Sequence, residues 1–380
     1  MRGLCRGGGW DRAWDPAVAF RSMAGSPSTS RADTLPADLG RVARRVEQRV
    51  DALLDQEIAR WTLVDDDLAS PLGALRALVA AGGKRLRPAF CHWGFVAAGG
   101  SPDDPRVVDA GAAFELLQAF ALIHDDVMDG SSVRRGASTV HRRFIERHVD
   151  ARWSGEARRF GEGVAILAGD LALVYADLLL PDGSPELAAL WHELRVELNV
   201  GQYLDLSGTA TGGVGREGAR RIARLKSGRY TIQRPLQLGA LLGGRPALAD
   251  DLSHYGDPLG EAFQLRDDIL GVFGDETRTG KPVGDDLREG KPTLLLAVAS
   301  ERATDADRLL LGRVGDHDLD DAGVAAVQDV LVRTGSVAFV EAEIEALARQ
   351  ATDALRGLDV APLAAEALVD LAAFVIARDA

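Results

Sequence analysis

Glu115-Leu116-Leu117-Gln118-Ala119-Phe120-Ala121-Leu122-Ile123-His124-Asp125-Asp126-Val127-Met128-Asp129 is an apolar run that ends in three carboxylates. Read as an α-helix, it sets Asp125 and Asp129 one turn apart on one face, with Asp126 three before Asp129. Acids this close repel one another and destabilise a bare helix, and a bound cation is the usual reason to accept them. No Cys or paired His stands with them, so the donor set suits a hard ion such as Mg²⁺. That ion takes one or two carboxylates and fills its shell with water and phosphate oxygens. Alone, the motif is also what a solvated helix end looks like.

A second cluster, Phe263-Gln264-Leu265-Arg266-Asp267-Asp268-Ile269-Leu270, again places paired acids on an apolar helix. Two such helices aimed into a bundle core can clamp a diphosphate between metal ions. Asp65-Asp66-Asp67 lacks the turn spacing and reads as a loop or helix cap. Basic residues complete the picture. Gly82-Gly83-Lys84-Arg85-Leu86-Arg87-Pro88 sets glycine flexibility beside three cations, a combination that holds a diphosphate without metal. Arg134-Arg135-Gly136 follows the first acid cluster, and Lys226, Lys281 and Lys291 flank the second. Any one of these cations is ordinarily a solvated charge; together with two acid clusters they describe two diphosphate sites, one metal-bridged and one bound by basic side chains.

Outward from these motifs the pattern is helical throughout. Leu39, Val42, Val46, Val50, Leu53, Leu54, Ile58 and Trp61 recur mostly at steps of three or four. Similar periodicity marks 72–81, 88–98, 106–128, 137–148, 163–180, 185–206, 216–241, 248–273, 292–301, 321–355 and 362–377. Breaks such as Gly99-Gly100-Ser101-Pro102 and Pro181-Asp182-Gly183 separate them. Short alternating runs flanked by hairpin turns are missing. The chain reads as all-α, a single-domain helical bundle over 37–380 around a central cavity. Residues 1–36, rich in Gly, Arg, Ser and Pro, read as a disordered tail or an over-extended start, with Met23 the alternative start.

Bulk numbers set limits. Forty-four Lys and Arg against 57 Asp and Glu leave a net charge of −13, a poor match to nucleic acid or an anionic membrane. Only Cys5 and Cys91 are present, so no disulfide framework is expected and a reducing, cytoplasmic setting fits. The longest apolar stretch, Val164 to Leu180, is broken by Asp170 and Asp177, and no transmembrane helix is expected.

Seven pieces in order closely resemble the trans-type polyprenyl diphosphate synthases. They are GGKRLRP at 82–88, ELLQ at 115–118, DDVMDGSSVRRG at 125–136, GQYLDL at 201–206, KSGRYT at 226–231, FQLRDDILGVFGD at 263–275 and GKPVGDDLREGKPT at 280–293. The resemblance implies the helical isoprenoid-synthase bundle and the condensation of isopentenyl diphosphate with dimethylallyl, geranyl or farnesyl diphosphate. It implies that Asp125 and Asp129 hold two Mg²⁺ and Asp267 a third, with Asp126 and Asp268 as the further metal-site acids. Arg134, Lys226 and Lys281 would grip the allylic diphosphate, with Lys291 nearby. Lys84, Arg87, Gln118 and Arg135 would hold isopentenyl diphosphate, while Lys226-Ser227 and Gln264 would face the allylic cation. His124 and His141 read as structural or as supporting residues behind the site, because the released diphosphate can take the final proton. A homodimer is the common family state.

Three positions depart from the family pattern. Gly271 stands where the second cluster commonly ends in Asp, and Asp275 lies about 12 Å further along a continuous helix. Ser227 replaces the usual Thr, and Gln118 stands where many members have His. Phe120, five before the first acid, occupies the position that often floors the product tunnel and resembles enzymes that make C20 geranylgeranyl diphosphate. Farnesyl and C25 or longer products are the alternatives. A class I terpene cyclase, a second reading, would carry an Asn/Ser/Glu metal motif and would not need GGKRLRP. A non-enzymatic partner subunit would be expected to lose acids from the first cluster, and all three are kept.

Overall fold

A computed structural model describes residues 37–274, 283–316 and 318–377; the stretch 1–36, Asp275 and Lys281 lie outside the described residues. The opening acid-tipped run is the second half of one helix, α4 (Pro105–Asp129). Its start follows from local chemistry. The Asp104 carboxylate accepts from the Arg106 backbone N–H, and Pro105 takes the first turn, where no N–H is needed. Gly130, left-handed at φ 68°, ends it. Val107, Ala110, Phe114, Leu116, Leu117 and Ile123 are buried all round α4 rather than along one stripe. A helix apolar on every side belongs inside a core. α4 is also, among the described residues, a helix long and apolar enough to cross a membrane, and most of that stretch is buried among neighbouring helices.

α1 (Ala37–Thr62), α2 (Ala69–Ala80), α3 (Leu86–Ala97), α5 (Val140–Asp150) and α6 (Ala157–Leu179) pack against α4. α7 (Pro185–Ala210) meets it where Trp191 stands edge-on to Phe114, 5.5 Å between ring centres. The chain continues as α8 (Arg216–Ile222), a π-helix (Ala223–Gln233), α9 (Arg234–Leu242) and α10 (Pro246–Phe273). Then come α11 (Asp285–Glu289), α12 (Leu294–Arg302), α13 (Asp305–Leu311), α14 (Asp321–Arg333), α15 (Ser336–Ala354) and α16 (Pro362–Ile376). These close two further apolar clusters against α3 and α10. The all-α reading holds.

Three local expectations change. A hairpin exists: Val133–Arg134 (β1) pairs antiparallel with Ala137–Ser138 (β2) across Arg135-Gly136, so the helix expected from 137 starts at Val140. The two-residue strands are too short to show alternation. The run 321–355 is two helices, divided at Gly335 with φ 71°. The run 216–241 follows one helical path, but its middle eleven residues are wound as a π-helix. Pro235 follows that segment at the start of α9. A proline ring inside a helix clashes with the carbonyl four residues earlier, and the wider turns before Pro235 relieve that clash. Asp65, as expected, caps a short 3₁₀ turn, accepting from the Asp67 N–H at 2.8 Å.

Glycines let the π-helix sit close between two neighbours. A Cβ on Gly201 of α7 would lie 2.6 Å from Lys226 Cα, and one on Gly260 of α10 would lie 2.7 Å from the Gly228 carbonyl carbon. Opposite the core, α6 and α7 expose Leu167, Val174, Leu178, Val196, Val200 and Tyr203.

Candidate active site

α4, α7, the π-helix and α10 line a cavity of about 660 Å³, to which the loop before α3 and the segment through α11 also contribute. Gln118, Ala121, Leu122 and Asp125 form the α4 wall at helical spacing. Lys84, Arg87, Arg134, Arg135, Lys226, Ser227, Gln264, Asp267, Asp268 and Lys291 all reach the same cavity. Residues from separate stretches of sequence therefore converge on one cavity. Three expected residues stand off the wall. Phe120 is half-buried, its ring 4.7 Å from the His124 ring. Asp126 is buried and accepts from Arg134 Nε at 2.7 Å. Asp129 lies half-buried, with Lys291 Nζ at 3.5 Å.

At one end the acids face cations. Asp125 Oδ1 accepts from Gln202 Nε2 at 3.0 Å and from Lys226 Nζ at 3.2 Å, and Arg134 reaches its other oxygen at 3.3 Å. Lys226 Nζ also meets Asp205 at 2.5 Å. Lys291 lies between Glu289, Asp129 and Asp286, at 2.8, 3.5 and 3.7 Å. Burial pushes the Asp125 carboxyl up, but Lys226, Lys291 and Arg134 outweigh it and hold Asp125 below the usual carboxylate range. Asp129 goes the other way: burial and the Asp125 charge raise it to about 6, against Lys291 and Lys226. Asp268 is raised to about 8, by burial first and then by Asp286, Asp267 and Asp205, although Gln264 Nε2 donates to it at 2.7 Å. Such raised carboxyls mark burial first, reinforced by neighbouring negative charge.

This end fits a hard cation. Its donors are all carboxylate oxygens, and the buried Asp129 Oδ2 accepts no hydrogen bond. Among the described residues no three acid, His or Cys side chains converge into a complete metal cage. Mg²⁺, which completes its shell with water and substrate phosphate, does not need one.

The other end is basic. Arg87 donates to Thr231 Oγ1 at 2.8 Å and lies over the Tyr230 ring, 4.3 Å from its centre. Tyr230 in turn donates to Gln118 Oε1 at 2.9 Å. Arg135 donates to the Gly82 carbonyl. Arg85, buried and left-handed at φ 48°, ties this loop to α1 through Glu47 at 3.0 Å and to α4 through Glu115. A non-glycine residue held at positive φ is strained, and these ion pairs are what over-determine it.

Sequence reasoning counted Arg85 only among the three cations of 82–88, and gave no role to Asp205, Tyr230, Thr231 and Asp286, although these four lie inside the quoted motifs. Asp205 stands three after Gln202, so the one-face spacing on α7 was a usable signal. Asp286 is more telling. Its carboxylate occupies the space that a side chain at Gly271 would need. Gly271, which breaks the family pattern, thus makes room for an acid brought in by α11. His124 bonds the Ile166 carbonyl at 3.1 Å, and His141 the Thr139 hydroxyl at 3.2 Å; neither lines the cavity.

Residues 72–331 match the family model described as polyprenyl synthetase. A short chain isoprenyl diphosphate synthase of Methanothermobacter thermautotrophicus is 33% identical over 341 residues, covering 87% of this chain and 97% of that protein. A nonaprenyl diphosphate synthase of Mycobacterium tuberculosis is 32% identical over 325 residues, 85% of this chain and 90% of the relative. Among solved structures, a geranylgeranyl pyrophosphate synthase from Corynebacterium glutamicum, complexed with isoprenyl diphosphate and magnesium, superimposes with a TM-score of 0.81. It is 38% identical, and the match covers 91% of this chain and 99% of that one.

Proposed function

Because this chain belongs to the polyprenyl synthetase family and is a prenyltransferase, we propose that its cavity elongates an allylic diphosphate to the C20 product with Mg²⁺. The coarse reaction is the condensation of isopentenyl diphosphate with an allylic diphosphate. The observation that carries the two-substrate reading is one cavity with a carboxylate-rich end and a basic end.

Asp125 and Asp129 on α4, and Asp267 on α10, would hold Mg²⁺, with Asp268 and Asp286 beside them; Asp126 instead pins Arg134. When bound, the ions supply positive charge against the leaving diphosphate. Lys226, Arg134 and Lys291 add fixed cations where that negative charge builds as the allylic C–O bond ionises. Arg134 and Lys226 are preorganised for this by Asp126 and Asp205. Lys84, Arg87, Arg135 and Gln118 hold isopentenyl diphosphate at the basic end, so that its double bond attacks the cation. Ser227 and Gln264 present oxygen dipoles to that cation without trapping it. The departing diphosphate takes the final proton, which leaves no task for His124 or His141.

Mg²⁺-dependent chain growth from isopentenyl diphosphate and each of dimethylallyl, geranyl and farnesyl diphosphate, abolished by EDTA, tests the reaction. Cyclic hydrocarbon in place of longer diphosphates would establish the cyclase reading instead. For product length, Phe120 stands next to the wall residue Ala121 on α4, packed against His124. Phe120→Ala is expected to lengthen the product, and an unchanged product profile would refute a stopping role. The C20 reading is supported by the Corynebacterium glutamicum structure, while the nonaprenyl relative shows that the fold also serves longer products.

The apolar face of α6 and α7 is assigned to a second copy of this chain. Helices of 23 and 26 residues are about 35–39 Å long, and side by side they offer roughly 700–800 Å². That is the share of one partner in a standard stable interface. Val200→Glu should turn a dimer into a monomer by light scattering; a monomeric parent chain would refute the assignment.

A further inference from the structure

The π-helix is held in its register from one side by a single buried acid. Glu197 of α7 accepts from Arg229 Nη1 at 2.6 Å, and from Arg234 Nε and Nη2 at 2.8 and 2.6 Å. Arg229 and Arg234 are five residues apart. On an α-helix, residues five apart point about 140° away from each other, and one carboxylate could not bond both. A π-helix repeats at about that interval, so the two guanidinium groups fall on one side. The clasp therefore fits only the wide form. Arg229 also reaches Asp257 of α10 at 3.1 Å, joining α7 to α10 across the π-helix.

The opposite side of that helix serves both ends of the cavity. Lys226 and Ser227 face the acid end, while Tyr230 and Thr231 hold Gln118 and Arg87 at the basic end. Rewinding the segment toward α geometry, even by one residue, would turn these side chains by about 100°. We propose that Glu197 is a positioning residue that keeps the π-helix wide, and thereby aligns Lys226–Ser227 and Tyr230–Thr231 on the two substrates. It touches neither substrate, and the alignment part of this proposal rests on the prenyl-transfer reading above.

The test compares Glu197→Gln with a control that loses a buried bond elsewhere. Tyr255→Phe removes the hydroxyl that donates to the Leu368 carbonyl at 2.7 Å, away from the cavity wall. Two readouts are taken on the full chain. Hydrogen exchange in Glu197→Gln should accelerate at least about 10-fold within 223–233 while the middle of α10 stays protected. In steady-state kinetics, kcat should fall on the order of 10- to 100-fold, with each KM changed less than about 3-fold, as a misplacement near 1 Å would do. Tyr255→Phe should keep kcat. Exchange that rises evenly through the molecule, or a kcat equal to the parent's, would make Glu197 merely a stabilising residue and overturn the proposal. Exchange is read whether or not the parent elongates prenyl chains, so a failed register and a failed reaction are told apart.

Discussion

Gly201→Ala adds one methyl group at the tightest crossing in the site. The new Cβ would stand 2.6 Å from Lys226 Cα and 2.7 Å from the Leu225 carbonyl carbon. The nearest atom, Lys226 N, would lie at 2.4 Å, and ordinary contact begins near 3.4 Å, so 3.4 − 2.4 = 1.0 Å of separation is missing. Both opposing groups are backbone and cannot rotate away. The π-helix cannot retreat either, because Gly228 already meets the backbone of Gly260 on its far side. Overpacking of this kind costs about 1–3 kcal/mol. At about 2.1 cal/mol/K of unfolding entropy per residue, a chain of 380 residues loses roughly 1–4 °C of Tm. The chemical cost should be larger than the thermal one. Moving Lys226 and Ser227 by nearly 1 Å should lower kcat on the order of 10- to 100-fold. Gly163→Ala on α6, where a Cβ meets nothing within 4 Å, is the counterpart. It should stabilise by about 0.5–1 kcal/mol through helix propensity and leave turnover alone. Melting curves and single-turnover kinetics on both variants decide the matter. A Gly201→Ala enzyme with parental kcat would refute the close-packing argument.

Asp125→Asn should lower kcat at least about 100-fold, and Asp267→Asn likewise, with far-UV circular dichroism unchanged; a loss under 10-fold at either would remove that residue from the metal set. The raised carboxyls Asp129 (about 6) and Asp268 (about 8) are favoured in their protonated form by the fold. Their contribution to the stability of the free protein is thus full below about pH 4 and is lost as pH rises through 6 and 8. Mg²⁺ with inorganic pyrophosphate needs both ionised, so the Tm gain on adding them should grow from pH 6 to pH 8. A gain that is flat or falls with pH contradicts this assignment. Gly271→Asp should collide with Asp286 and weaken that same Tm gain, and adding Asp286→Ala, which empties that space, should restore part of it. A double variant no better than the single one would show that the two positions do not share a space.

The sequence carried the acids well, because a turn of helix is a local ruler. Asp125, Asp126 and Asp129, and then Asp267 and Asp268, could be placed on helix faces by counting alone. It carried the cations only as a set, since nothing local says that Lys226 meets Asp205 across two helices or that Arg87 ends over Tyr230. The π-helix was not legible for a physical reason. Its apolar residues keep nearly helical spacing, and what widens it is Pro235 together with a clasp from α7. The hairpin at Val133–Ser138 escaped because two-residue strands have no period to read. Gly271 was noticed as a missing acid, but its meaning lay fifteen residues on, at Asp286.

α4 carries Gln118 from the basic end and Asp125 from the acid end on the same rigid rod. Seven residues separate them, two turns, or about 10.5 Å. In the proposed reaction every round of growth starts across that one gap, however long the tail has become. The stride is therefore fixed, and the enzyme cannot count strides at the place where it takes them. In the same reading stopping falls to wherever the tail no longer fits, and the proposed stop, Phe120, lies inside that span, two residues after Gln118. Stride and stop would then be set by different residues of the same two turns, so a lineage could change how far it walks without altering its step.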